Sequence, residues 1–148
     1  MAVSLNRYNH TAKRLLNKEV DLANIKLMLL DNTASFTGAH TSVDQVAGAA
    51  SPHRAKEVYG NGWAEGGEQF ANLAVTIVNT DDAKIDADDI SKTATSGPIG
   101  PAYKGLILDG TNLFPLWFVS FGQLEEAGEN TDFKYILPAN GLMISSDA

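Results

Sequence analysis

The chain has 148 residues, no cysteine and a formal net charge of −7. That length suits one domain with its own core, and the lack of cysteine excludes disulfide frameworks, thiolate metal sites and cysteine nucleophiles. The longest apolar run, Leu113 to Val119, has seven residues, far short of the roughly 20 that a spanning helix needs, and the opening residues lack the apolar stretch of a signal peptide.

In chain order, the first predicted element is a short helix over Tyr8 to Asn17. Asn9 is its candidate N-cap, and Ala12, Leu15 and Leu16 share one face. Asn24 to Asp31 then alternates as a strand with a wet start and a buried end. Asn32 to Ser51 is rich in turns and small residues, and Ser42 with Gln45 forms a candidate capping box. Gly60 to Gly67 is a glycine-dense turn around Trp63. Leu73, Val75 and Ile77 alternate with polar or small residues and predict a half-buried strand.

Beyond the Asp81-Asp82 turn, Ala83 to Ile90 predicts an acidic strand pair that Ser91 to Thr95 continues. Ser96 to Pro101 is expected to end pairing, because proline cannot donate to a ladder. Lys104 to Leu108 and Leu113 to Phe121 predict a hairpin across Asp109-Gly110. The return strand is apolar in both phases, so it is either central and covered on both faces or an interface. Gly122 to Asn130 reads as an acidic loop, Phe133 to Leu137 as a strand, and Leu142 to Ile144 as a final short strand. Six to eight short strands point to an all-β fold, a jelly-roll-like β-sandwich with a short N-terminal helix. Residues 1–20 are expected as an arm and helix, and residues 21–148 as the sandwich domain.

Charge is uneven. Residues 1–56 carry seven Lys/Arg and four acids, whereas residues 57–148 carry four Lys and fourteen acids. An acidic body repels phosphate, so nucleic acid is an unsuitable partner. The basic first third suits an acidic protein surface.

Chemistry-bearing patterns are sparse. Neither a Gly-x-Ser-x-Gly elbow nor a Walker loop occurs. The glycines of 60–67 lack the dinucleotide spacing. His10, His40 and His53 form no ligand pair. Asp81, Asp82, Asp86, Asp88 and Asp89 are dense enough to consider calcium, but the EF-hand positions fail, and a solvated edge explains them as well. Glu125 with Glu65 forms a conceivable glycosidic pair with no fixed separation. Tyr59, Trp63 and Tyr103 could stack on sugars or fill a core. No cofactor, catalytic residue or metal ligand is assigned.

Several stretches together resemble a family of small structural proteins of tailed bacteriophages: LANIKLMLL (22–30), EVYGNGWAEGG (57–67), DDAKIDADDISKTAT (81–95), Lys104 to Asp109 and LWFVSFG (116–122). The resemblance spans about Tyr8 to Gly141 and departs from the family pattern at the proline-rich Ser96 to Pro101. It implies a non-enzymatic virion component, made in the bacterial cytoplasm, that binds its own copies and the major capsid protein or other virion proteins. A capsid cement or decoration role leads. A neck, tail or fibre position is the second reading, and a carbohydrate-binding module or small hydrolase the third. The residues expected at the interface are Arg7, Lys13, Arg14, Leu113, Phe114, Leu116, Trp117 and Phe118. The segment before Lys26 is expected to help tie the protein to its shell.

Overall fold

The computed structural model describes residues 3–43, 56–78, 82–138 and 141–143. Its strands are β1 (Ser4–Arg7), β2 (Ile25–Leu30), β3 (Glu57–Val58), β4 (Glu68–Gln69), β5 (Ala74–Val78), β6 (Asp82–Asp86), β7 (Ile90–Thr93), β8 (Ile99–Asp109), β9 (Phe114–Ala127), β10 (Asp132–Tyr135) and β11 (Leu142–Met143). The helix α1 (Thr11–Leu16) and a 3-10 turn, Leu22–Asn24, lie between β1 and β2. The fold is all-β with one short helix, as the strand count predicts.

A six-stranded antiparallel sheet runs β1-β9-β8-β2-β3, with β4 also on β2. Two smaller antiparallel sheets, β10-β7 and β11-β6-β5, complete the described structure. The alternation of strand side chains divides the core. Leu27, Leu29, Ile107, Trp117 and Val119 join Trp63, Phe70, Ile85, Ile90, Phe133 and Tyr135 on one face of the large sheet. Met28, Leu30, Leu106, Leu108 and Phe118 join Tyr8, Ala34 and Val43 on the other, with Phe36 against them. The small sheets therefore cover the first face, and the 31–43 loop covers part of the second.

Several expectations need correction. Within the segment expected as an arm and short helix, Ser4–Arg7 is a strand that pairs with Ser120–Trp117 of β9, and Tyr8 is fully buried. The helix starts later than expected. His10 occupies its N-cap position without a side-chain cap bond, and Leu16 is 80% exposed while Thr11 is buried. Strand β8 passes through Pro101, because register shifts between Ile99 and Lys104 remove the demand for a regular ladder bond there. Strand β9 runs on through Gln123 to Ala127, residues expected as loop. The pattern expected to half-bury Val75 and Ile77 instead leaves both exposed. Gln45 of the candidate capping box lies outside the described residues.

The turn at Gly60 behaves as its glycines predict. Gly60 and Trp63 exchange backbone bonds of 2.8 and 3.1 Å, and the central Asn61 and Gly62 hold φ of 56° and 112°, the sign pair that two-residue hairpins favour. Gly67 is required for another reason. A Cβ there would lie 2.6 Å from the Leu27 carbonyl oxygen, so only glycine admits β4 against β2.

Candidate functional site

The eight residues expected at an interface separate into two groups. Leu116, Trp117 and Phe118 are buried within the chain's own core. Strand β9 is thus the central, doubly covered strand, and these three side chains are not available to a partner. Their burial follows from the neighbours of β9: β1 and β8 flank it, and both sheet faces are packed. Leu113 and Phe114 are half-buried, Arg7 and Lys13 exposed, and Arg14 half-buried.

Arg14 is held in a polar cluster. Its Nε donates to Nδ1 of His10 at 2.5 Å, its guanidinium lies 3.7 Å from the centroid of the Phe114 ring, and Nη1 is 3.5 Å from a Glu19 carboxylate oxygen. The other imidazole nitrogen of His10, Nε2, lies 2.7 Å from the Pro115 carbonyl oxygen. Pro115 can only accept and Arg14 can only donate, which fixes the neutral tautomer with the proton on Nε2. Burial, the largest effect, lowers the imidazole pKa; the hydrogen bond to the Pro115 carbonyl, next in size, raises it. The Arg14 charge (lowering) and the Glu19 charge (raising) are smaller still, so the net direction is down. The spacing of His10 and Arg14, four residues apart at a helix start, was a usable signal that a search for metal ligands overlooks.

A folded-state histidine pKa below the unfolded value contributes stability that is complete above about 6.5, the unfolded value. That contribution declines as pH falls from there through the lowered folded value, because the unfolded chain takes up the proton first. The melting temperature of the protein is therefore expected to drop between neutral and mildly acidic pH by more than that of a His10→Gln variant. Parallel thermal melts at several pH values check this, and superimposable pH profiles would rule it out.

The acidic cluster is dispersed. Asp86 pairs with Lys84 at 3.2 Å. Asp88 accepts from Asn72 at 2.5 Å, and Asp89 accepts from the Leu137 backbone N–H at 3.0 Å. Asp81 lies outside the described residues. Among the described residues no group of three or more His, Asp or Glu side chains is placed to hold a metal ion, and no helix is long and apolar enough to cross a membrane.

Of the aromatics considered for sugars, Trp63 is buried against Phe133, with ring centroids 5.3 Å apart, and Tyr59 is exposed. Glu125 joins Val3, Phe121, Phe133, Lys134, Tyr135 and Ile136 around a shallow groove of about 200 Å³, and Glu65 is not among its walls. Burial pushes the Tyr135 hydroxyl up to about 12. That hydroxyl has no hydrogen-bond partner among the described residues.

What the surface does offer is apolar strand termini and edges. The exposed large apolar side chains include Val3 beside β1, Val75 and Ile77 on β5, and Ile136 just after β10. Among the described residues each of these strands ends its sheet. Comparison with protein-family models, curated proteins and solved structures finds no match to this chain.

Proposed function

We propose that the protein is a non-enzymatic structural component of a tailed-phage virion, an auxiliary capsid protein that stabilises the shell through contacts with its own copies and with the major capsid protein. The observation that carries this reading is the placement of exposed apolar side chains at sheet ends, at Val3, Val75, Ile77 and Ile136. A monomer with no partner usually blunts such edges, whereas a protein that shares them uses strand addition for affinity. The resemblance of residues 8–141 to small phage structural proteins points the same way. The acidic balance disfavours nucleic acid as the ligand.

The test is uptake by particles. Purified protein added to capsids that lack it is expected to sediment with the shells in a saturable way. Sedimentation with isolated tails instead would support the neck, tail or fibre reading. Binding to neither would overturn the structural assignment.

A further inference from the structure

We infer that the outer edge of β5 is a docking edge for β5 of a second copy of this chain, paired antiparallel about Thr76. This rests on the structural reading above and names the contact by which copies would meet.

Among the described residues, the strand Ala-Val-Thr-Ile-Val is bonded on one side only, to β6. Its first four residues are exposed, with Val75 at 51% and Ile77 at 76%. Both faces and one edge of β5 are therefore wet along most of its length. A strand this exposed, in a three-stranded sheet, gains little from its own chain. Exposed β-branched residues on a free edge form a template for another strand.

Three observations select a second copy as the occupant. The first is charge. Of the strands with four or more residues that end a sheet, β1 carries Arg7, β7 carries Lys92, and β10 carries Asp132 and Lys134. Only β5 has no charged side chain. A chain of net charge −7 repels its own copies overall, and this edge adds no charge to that repulsion. The second is register. Antiparallel pairing about Thr76 sets Val75 opposite Ile77 twice, on the same face, so each β-branched side chain meets another. The third is distance. Strand β6 carries Asp82, Lys84 and Asp86. In the paired arrangement the two β6 strands are separated by both β5 strands, about 14 Å apart at the usual strand spacing. That exceeds the Debye length of about 8 Å at physiological salt.

The size of the edge sets the strength of the contact. Five residues cannot bury the roughly 1,200 Å² that a stable complex of free proteins needs. The pairing is therefore weak between free molecules and effective where copies are held close together, as on a shell.

The chain has no cysteine, so a single substitution reports the contact cleanly. Thr76→Cys places two thiols directly opposite each other across the proposed axis, within disulfide reach. Under mild oxidation it is expected to form covalent dimers about tenfold or more faster than Glu129→Cys, a control in the exposed turn after β9, because pairing raises the local thiol concentration. Adding Ile77→Lys to Thr76→Cys should remove the excess. Equal rates for the two single variants, or an excess that survives Ile77→Lys, would overturn the pairing. Particle uptake of the unmodified chain is read separately. Uptake without accelerated cross-linking sinks the β5 contact and leaves the virion reading standing. Accelerated cross-linking without uptake does the reverse.

Discussion

Asp109→Ala is expected to destabilise the protein by about 3–5 kcal/mol, because a buried carboxylate that accepts four charge-assisted hydrogen bonds, roughly 1.5–3 kcal/mol each, is lost. Asp109 is fully buried at the end of β8. Its Oδ1 accepts from the backbone N–H of Thr111 at 2.8 Å and of Asn112 at 3.1 Å. Its Oδ2 accepts from the backbone N–H of Asp21 at 2.9 Å and from Asn112 Nδ2 at 2.8 Å. One carboxylate thus forms the β8–β9 turn and ties it to the chain entering β2. Around it, Thr111 donates to Asp21 at 2.6 Å, and Asn112 donates to the Glu19 carbonyl at 3.1 Å. Alanine removes the carboxylate that four donors share; Asp109 itself is buried, while Asp21 is half-buried and Thr111 and Asn112 are exposed, so water can replace only part of what is lost.

Asp109→Asn is the sharper test, since it preserves shape. An amide offers one oxygen where the carboxylate offers two, so in either orientation its NH2 faces N–H donors. A loss of about 2–3 kcal/mol is expected from the unpaired groups, or roughly 5–10 °C in melting temperature at this chain length. If Asp109→Asn melts together with the parent protein, the network does not hold the turn.

How far the sequence reveals this structure depends on whether the information is local. Asp109-Gly110 marks a turn, and Asn61-Gly62 marks another, because their backbone preferences act within a few residues. The alternation in β2 reads correctly for the same reason. Strand β1 was illegible: Ser-Leu-Asn-Arg has no apolar alternation, and it becomes a strand only because β9 presents an edge to it. Residues 123–127, Gln-Leu-Glu-Glu-Ala, carry two acids and follow Gly122, yet they extend β9 through pairing with residues 99–102 of β8. Pro101 misled in the opposite direction, since a bulge accommodates it.

The candidate site was less legible than the fold. Leu113 to Phe121 posed a choice between buried strand and interface, and composition alone cannot decide between them. The answer lies in distant residues: Ala34, Phe36 and Val43 on one face, and Trp63, Phe133 and Tyr135 on the other. The exposed edge at Val75 and Ile77 has the pattern of an ordinary half-buried strand. Its exposure follows from its place at the end of a small sheet, which no local pattern encodes.

Trp117 provides the direct test of that choice, and Trp117→Ala is expected to cost about 3–5 kcal/mol. The ring is 2% exposed. Trp117 stands opposite Arg7 of β1 and Ile107 of β8 and packs in the larger core cluster. Truncation removes the transfer free energy of the indole and leaves a cavity that three paired strands cannot close. Total stability for a domain of this size is about 5–15 kcal/mol, so the loss is a large share of it. Phe118, on the opposite face with Tyr8 and Met28, should respond in the same way when replaced by alanine. An interface residue behaves differently: its truncation weakens assembly and leaves the isolated chain as stable as before. Urea unfolding of the monomer separates the two cases. A midpoint well below that of the parent chain, with unchanged slope, marks a core residue. An unchanged midpoint together with reduced particle uptake would return Trp117 to the surface.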